Sequence, residues 1–134
     1  MENKELARDY IDRADVRVLA LDLFFEKQSW ANVVRESQEV VELLLKAVLR
    51  MSGIEVPRVH DVSPVLQDNR SRLPESIRQN LRELVKISKD LRRDRELAFY
   101  GSEDLTPSTF YSKEDAEKAR ASAQFVLRVV KGSY

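Results

Sequence analysis

The sequence predicts an all-α protein, and three observations support that prediction. The 134 residues include only three glycines and four prolines, too few for the turns of a many-stranded protein. Hydrophobic residues make up 43% of the chain, and in long segments they recur at steps of three and four, which is typical of a helix face. Capping residues stand at the segment boundaries. We therefore predict one domain, residues 1–134, with five helices, four long and one short.

Helix one is predicted from Leu6 to about Lys27 and has two apolar faces. The main face consists of Ala7, Tyr10, Ile11, Ala14, Val18, Leu21 and Phe25. The second, shorter stripe consists of Val16, Leu19, Ala20 and Leu23. A helix with two apolar faces lies between two layers of its own domain or contacts another chain. The sequence favours neither alternative, so the second stripe is a candidate dimer contact.

Helix two is predicted from Trp30 to about Met51, with Ser29 as its N-cap and Gly53 in the left-handed position after its end. It is the most hydrophobic segment, so we expect it at the centre of the fold. Its narrow polar strip consists of Arg35, Glu39, Glu42 and Lys46. Within this strip each acid lies four residues from a base, a spacing that allows ion pairs. The strip faces either water or a cleft.

The second half of the chain is predicted to contain one short and two long helices. Helix three is short and covers about 62–70. Helix four runs from Pro74 to Gly101, and helix five begins at a capping-box pair, Ser112 and Asp115. The first half of helix five carries the small residues Ala116, Ala119 and Ala123. These small residues allow a neighbouring helix to approach closely.

The end of helix four, "LRRDRELAFYG", carries a cluster of arginines. Helical phase turns Arg95 toward the apolar stripe of the helix and Arg93 away from it. The negative end of the helix dipole alone accounts for Arg92 and Arg93. A buried Arg95 needs a partner, either a carboxylate, for which Glu42 is the first candidate, or an anion in a cleft. Alternatively, it extends past the last turn into solvent.

Two aromatic residues follow these arginines, Phe99 and Tyr100. Aromatic side chains beside a basic face can stack on a nucleic-acid base. Next to a helix end, however, such residues more often pack against the following loop and helix.

Composition excludes several classes of function. Lysine plus arginine and aspartate plus glutamate both number 23, so the net charge is zero and only local anion sites remain. Cysteine is absent, which excludes disulfides and cysteine-bound metals. The charged N-terminal segment and the lack of an apolar run of about 18 residues predict a cytoplasmic protein without a membrane span.

Familiar catalytic motifs are also missing from the sequence. It contains no HExxH, no GxSxG and no glycine-rich phosphate loop. The single histidine, His60, precedes a predicted helix, where a histidine is more often a capping or core-edge residue than a catalyst. We therefore predict no cofactor and no metal site.

Taken in order along the chain, several short patterns resemble the HEPN domain (higher eukaryotes and prokaryotes nucleotide-binding). The matching features are Gln38, Glu42, Lys46 and Ala47 in helix two, then Pro57, His60 and Asp61, then the arginine and tyrosine of "RDRELAFYG", and finally the capped, alanine-rich last helix. The resemblance implies an up-and-down helical bundle that is usually a homodimer. Many such proteins are encoded beside a minimal nucleotidyltransferase, with which they form a toxin–antitoxin pair or a nucleotide-binding complex.

The ribonuclease branch of the family carries an arginine, a polar residue and, a few residues later, a histidine, often followed by a tyrosine. Laid on this chain, Arg93, Asp94 and Tyr100 take the arginine, polar and tyrosine places, and Ala98 falls where the histidine belongs. Without that imidazole the motif lacks its general acid or base, a loss of about two to four orders of magnitude in rate. His60 has its own place in the family pattern, which argues against it as a substitute.

Three classes of function remain. The favoured one is a nucleotide-binding or partner-binding module that is not catalytic by itself, and the alternatives are a toxin-type, metal-independent ribonuclease with a degenerate motif and a purely structural helical dimer. The candidate nucleotide or phosphate ligands are Arg92, Arg93, Arg95, Tyr100, Lys46, Glu42 and His60. The predicted partners are a second copy of the chain, a minimal nucleotidyltransferase, and a nucleotide or an RNA phosphate.

Overall fold

A computed structural model describes the backbone of residues 2–100 and 110–134 and the side chains of residues 4–92 and 110–134. Within these ranges the chain is helical and contains no strand, which confirms the all-α prediction. The helices are α1 (Glu2–Glu26), α2 (Trp30–Met51), α3 (Ser63–Asp68), α4 (Glu75–Gln79), α5 (Leu81–Tyr100) and α6 (Lys113–Ser133), and a single 3₁₀ turn covers Arg70–Arg72.

Helix α2 is the central element, as its hydrophobicity predicts. It packs against α1, α5 and α6, the other three long helices of the described chain. Its fully buried apolar side chains are Val33, Val40, Leu44, Leu45, Ala47, Val48 and Leu49. The predicted small residues of α6, Ala116, Ala119 and Ala123, are buried as well. Because alanine side chains are short, α6 can lie close to α2 along its first half.

Both α1 and α2 end in a Schellman motif, in which a residue with a left-handed backbone and the residue after it both donate their amides back to the helix. After α2 that residue is Gly53, at φ +69°, as predicted, and the amide of Ile54 donates to the carbonyl of Leu49 at 2.9 Å. After α1 it is Gln28, at φ +58°, and the amide of Ser29 donates to the carbonyl of Phe24 at 2.9 Å. The α1 motif was not predicted, because glutamine gives no signal for a left-handed conformation.

The two predicted N-terminal caps have different outcomes. At α6 the capping box is confirmed, because Ser112 Oγ accepts from the amide of Asp115 and the Ser112 amide donates to the Asp115 carboxylate at 2.9 Å. Ser29 is at the N-cap position of α2, but its side chain makes no capping hydrogen bond. Its hydroxyl instead accepts from Asn32 Nδ2 at 2.8 Å, so the prediction of a side-chain cap was wrong.

The predicted helix four is two helices, α4 and α5, separated at Asn80. The Asn80 amide donates to the carbonyl of Ile77, three residues back. The side-chain Nδ2 of Asn80 donates to the carbonyl of Ser76 at 2.8 Å. The side chain therefore replaces the backbone donor of a regular α-helical turn, so the carbonyl of Ser76 keeps a hydrogen bond. The apolar periodicity continues across the break, so it could not reveal the break.

Candidate functional site

Four polar side chains meet on one side of α2, and we call them the Glu42 cluster: Gln38, Glu42, Lys46 and His60. Glu42 Oε1 accepts from Gln38 Nε2 at 2.9 Å and lies 2.8 Å from His60 Nδ1, while Glu42 Oε2 accepts from Lys46 Nζ at 2.9 Å. The glutamate side chain is only 14% exposed. Three hydrogen-bond donors therefore surround one largely buried carboxylate.

The environment of Glu42 favours its ionised form. Burial by itself would raise the pKa of this carboxyl, but hydrogen bonds from Lys46, Gln38 and His60 and the charge of Lys46 outweigh burial and hold the pKa below its ordinary value of 4.5. An ionised carboxylate is only an acceptor, so His60 Nδ1 carries the hydrogen of the contact. The imidazole is thus held by one nitrogen, and its Nε2 is left for other contacts.

The next residue, Asp61, is held by a different helix. Its Oδ1 accepts from Ser88 Oγ of α5 at 2.7 Å and from the amide of Ser63 at 3.0 Å. Burial raises the pKa of Asp61, but the hydrogen bonds from Ser63 and Ser88 and the charge of Lys89 outweigh it, and the pKa lies below its ordinary value. Two adjacent residues of one loop, His60 and Asp61, therefore anchor that loop to α2 and to α5.

The structure brings three of the predicted ligands together, namely Glu42, Lys46 and His60. The predicted pairs Glu42–Lys46 and Arg35–Glu39 are both present, at 2.9 and 3.7 Å. The contact between Glu42 and His60 was not predicted, because 18 residues of chain separate them and no spacing rule applies.

The other predicted ligands lie on α5. Arg92 is half-buried. Arg93, Arg95 and Tyr100 belong to the last helical turns, but their side chains, and the predicted pairing of Arg95 with Glu42, lie outside the described residues, as does the side chain of Ala98.

Sequence reasoning also missed the contact of Asp61 with Ser88. One signal for it was present, because Ser88 occupies a position in the apolar stripe of α5 and is buried. A hydroxyl buried in a core needs a hydrogen-bond partner, so a serine at such a position points to a polar residue nearby.

The second stripe of α1 is exposed over most of its length. Val16, Leu19 and Leu23 are 67%, 68% and 54% exposed, and Ala20 is half-buried. The opposite face of α1 is packed in the core, where Ala7, Ile11, Ala14, Val18 and Leu21 are buried. One alternative for this stripe was a second layer of the same domain. The described chain supplies no such layer to cover it.

The described residues contain no group of three histidine, aspartate or glutamate side chains placed to hold a metal ion. No helix among them is long and apolar enough to cross a membrane.

Sequence similarity defines the class of this protein. The chain matches the HEPN domain over residues 7–133, and it belongs to that family. The resemblance recognised in the sequence is thereby confirmed.

One curated relative matches the chain over nearly its whole length. It is "Putative toxin MJ1304" of Methanocaldococcus jannaschii, which is 30% identical over 135 residues, covering 96% of this chain and 88% of the relative. No solved structure matches the chain significantly.

Proposed function

We propose that this protein is the HEPN component of a toxin–antitoxin-like pair and that it binds nucleotide phosphate and a protein partner without being catalytic by itself. The observation that carries the proposal is the place of the only histidine. His60 is held by Glu42 beside α2, whereas the position of the ribonuclease histidine at the end of α5 is occupied by Ala98. Acid–base chemistry at the α5 end lacks its imidazole, but phosphate binding there needs only cations.

The toxin role is supported by the relative from Methanocaldococcus jannaschii, whose name describes it as a putative toxin. The family resemblance adds the partner, a minimal nucleotidyltransferase encoded nearby, and the charged N-terminal segment supports a cytoplasmic setting. Expression of this chain alone should slow growth of a bacterial host, and coexpression of the neighbouring reading frame should restore growth. A chain that leaves growth unchanged at high expression would rule out the toxin role.

The proposed phosphate ligands are the arginines at the end of α5, Arg92, Arg93 and Arg95, with Tyr100. Lys46 is not among them, because Asp90 and Leu91 of α5 lie beside Val34, twelve residues before Lys46 on α2. A guanidinium donates two parallel hydrogen bonds to a phosphate, which makes arginine the suitable residue at such a site.

Calorimetry with AMP, ADP and ATP at low salt tests the phosphate site. Arg95→Ala should weaken binding about tenfold or more, because a hydrogen bond to a charged group contributes about 1.5–3 kcal/mol. The melting temperature should stay nearly unchanged, and Arg128→Ala, an exposed arginine on α6, should bind like the wild type. A large fall in melting temperature for Arg95→Ala, with no nucleotide bound by the wild type, would instead favour a structural role.

The ribonuclease alternative has its own experiment. Purified protein is incubated with labelled RNA in the presence of EDTA, beside an Arg93→Ala variant. Our proposal expects no difference between the two samples. Cleavage by the wild type that is lost in Arg93→Ala would show that the degenerate motif is still active.

We further propose that the protein is a homodimer and that the exposed stripe of α1 is its contact. Val16, Leu19 and Leu23 repeat at steps of three and four, the spacing at which one helix packs along another. Leu19→Glu or Leu23→Glu should convert the dimer to a monomer in light scattering. Val59→Glu, which changes an isolated exposed apolar residue in the 52–62 loop, serves as the matched control and should stay dimeric. A wild-type monomer at high concentration would exclude the contact.

A further inference from the structure

A shallow groove of about 350 Å³ lies between the end of α3, the 3₁₀ turn and the start of α5. Its apolar lining consists of Leu81 and Val85, which are buried side chains of α5. Its polar lining consists of Gln67, Arg70 and Arg82, which are exposed. The groove therefore places two guanidinium groups beside an aliphatic surface.

The guanidinium groups of Arg70 and Arg82 have no partner within the described part of the chain. Neither makes a hydrogen bond, an ion pair or a ring contact there. Two other arginines of the same segment, Arg72 and Arg78, donate to backbone carbonyls instead. Arg72 and Arg78 thus have a structural role, whereas the fold gives no such role to Arg70 and Arg82.

The acids nearest in sequence do not neutralise the groove. Among the described residues that line it, none is acidic. Asp68, two residues before Arg70, neither lines the groove nor pairs with either arginine. Glu83, next to Arg82, lines a different cleft, between α5 and α6. The lining therefore carries two positive charges that no acid in the lining balances.

The backbone that carries Arg70 is fixed on both sides. Before it, Asn69 Nδ2 donates to the carbonyl of Val65 at 2.9 Å. After it, the amide of Arg72 donates to the carbonyl of Asn69 at 2.9 Å, and Leu73 is buried in the core. Because the turn is already ordered, a ligand pays little entropy for ordering it.

The lining of the groove favours an acidic peptide over nucleic acid. A guanidinium group binds a carboxylate through two parallel hydrogen bonds, and Leu81 with Val85 provides a surface for an aliphatic side chain between two carboxylates. Single-stranded nucleic acid is held largely by stacking of its bases on aromatic rings. Among the described residues that line the groove, none is aromatic.

We propose that this groove docks an acidic, amphipathic segment of a protein partner, with an apolar side chain on Leu81 and Val85 and carboxylates on Arg70 and Arg82. The inference deepens the protein-partner half of the proposed function and rests on it. It adds the place of the contact and the chemistry of the partner. Arg82 and Arg92 are ten residues apart on α5, about 15 Å along its axis, so the groove is separate from the proposed phosphate ligands.

An amide ¹H–¹⁵N titration of the full chain tests the groove with defined probes. The main probe is a short peptide built from Glu-Glu-Leu repeats, and the matched peptides replace either every glutamate by glutamine or every leucine by alanine. The main probe should shift the amides of 67–70 and 81–85, and both matched peptides should bind several-fold more weakly. A short single-stranded RNA is the competing probe.

Variants of the two arginines complete the titration. Arg82→Ala should weaken binding of the main probe by up to about fivefold, the range of an exposed ion pair. Arg70→Glu combined with Arg82→Glu should weaken it by more than about tenfold, because repulsion is added. Arg128→Glu, exposed on α6 and outside the groove, is the matched control and should bind like the wild type.

The growth experiment described above tests the same groove against the natural partner. The variant with both Arg70→Glu and Arg82→Glu should slow growth as the wild type does, because its phosphate ligands are unchanged. Coexpression of the neighbouring reading frame should no longer restore growth for this variant, but it should do so for Arg128→Glu.

Three results would overturn the proposal. The first is the absence of any shift at 67–70 and 81–85 with the main probe at millimolar concentration. The second is equal binding, or equal restoration of growth, for the double variant and the wild type. The third is a stronger response of the same amides to RNA than to the peptide. A wild-type chain that leaves growth unchanged contradicts the toxin role instead, and the titration then decides the groove by itself.

Discussion

Helices α1 and α2 lie side by side and have similar lengths, yet they bury their apolar residues to different extents. The apolar stripe of α2 is buried within the chain, and its polar strip carries the ion pairs of the Glu42 cluster. Helix α1 buries one stripe and exposes the other, with Leu19 at 68% and Val16 at 67%. An apolar stripe by itself therefore does not say whether it is buried within its own chain.

The largest expected effect comes from the buried apolar stripe of α2. Leu44→Ala removes a fully buried side chain at the centre of α2 and should lower the free energy of unfolding by about 2–5 kcal/mol, from lost burial plus the remaining cavity. Urea denaturation monitored by circular dichroism measures the change. A loss below about 1 kcal/mol would mean that α2 is less tightly packed than the structure shows.

The second effect concerns the polar strip of α2. Glu42→Gln should cost about 1–3 kcal/mol at neutral pH, because Lys46 and His60 lose a charged acceptor. Glu83→Gln, an exposed acid on α5, is the control and should cost far less.

The acid dependence of stability should change in the same variant. The folded pKa of Glu42 lies below its ordinary value of 4.5, so between these two pH values the unfolded chain binds more protons than the folded one. The contribution of Glu42 is thus complete above pH 4.5 and is lost as the pH falls through the folded pKa. The free energy of unfolding should therefore fall less steeply from pH 6 to pH 3 for Glu42→Gln than for the wild type. Identical slopes would contradict the lowered pKa.

The third effect compares the C-terminal ends of the same two helices. Gly53→Ala should cost about 1 kcal/mol, since alanine is strained at φ +69°. At the corresponding position after α1, Gln28→Gly should be neutral or stabilise by up to about 1 kcal/mol, because glycine removes the strain at φ +58°. Melting temperatures of the two variants should therefore move apart. Destabilisation by Gln28→Gly would show that the glutamine side chain contributes more than its backbone strain costs.

The smallest effect is expected on the exposed stripe. Leu19→Ala should change the free energy of unfolding of the isolated chain by no more than about 0.5 kcal/mol. Measured at increasing protein concentration, however, the wild type should gain stability and the variant should gain less, because binding of a second copy stabilises only the folded chain. Parallel concentration dependence of the two proteins would argue against the α1 contact.

Much of the fold could be predicted because its signals are local. Ser112 with Asp115 is a local pattern that predicts a capping box, and Gly53 after an apolar helix predicts a left-handed helix end. The division at Asn80 could not be predicted, because the apolar stripe continues through it and the hydrogen bonds of Asn80 to Ile77 and Ser76 leave no sequence pattern. The helix end at Gln28 could not be predicted either, because glutamine gives no signal for a left-handed backbone.

The candidate site was less predictable than the fold. Glu42 and Lys46 are four residues apart on one helix, so their ion pair follows from helix geometry. His60 lies on a loop, and its position depends on where that loop packs against α2, which no local pattern specifies. Helix spacing therefore paired Glu42 with Lys46, but it could not name His60 as a second partner.

The double anchoring of the loop by His60 and Asp61 has a consequence for the dynamics of the whole bundle. One hydrogen bond spans 18 residues to α2 and the next spans 27 residues to α5, so the middle of either helix can unfold only if the loop detaches. Helices α2 and α5 should consequently open as one cooperative unit in native-state hydrogen exchange, with the amide of Ser63 among the protected sites. A single short loop should thus couple the exchange rates of two helices.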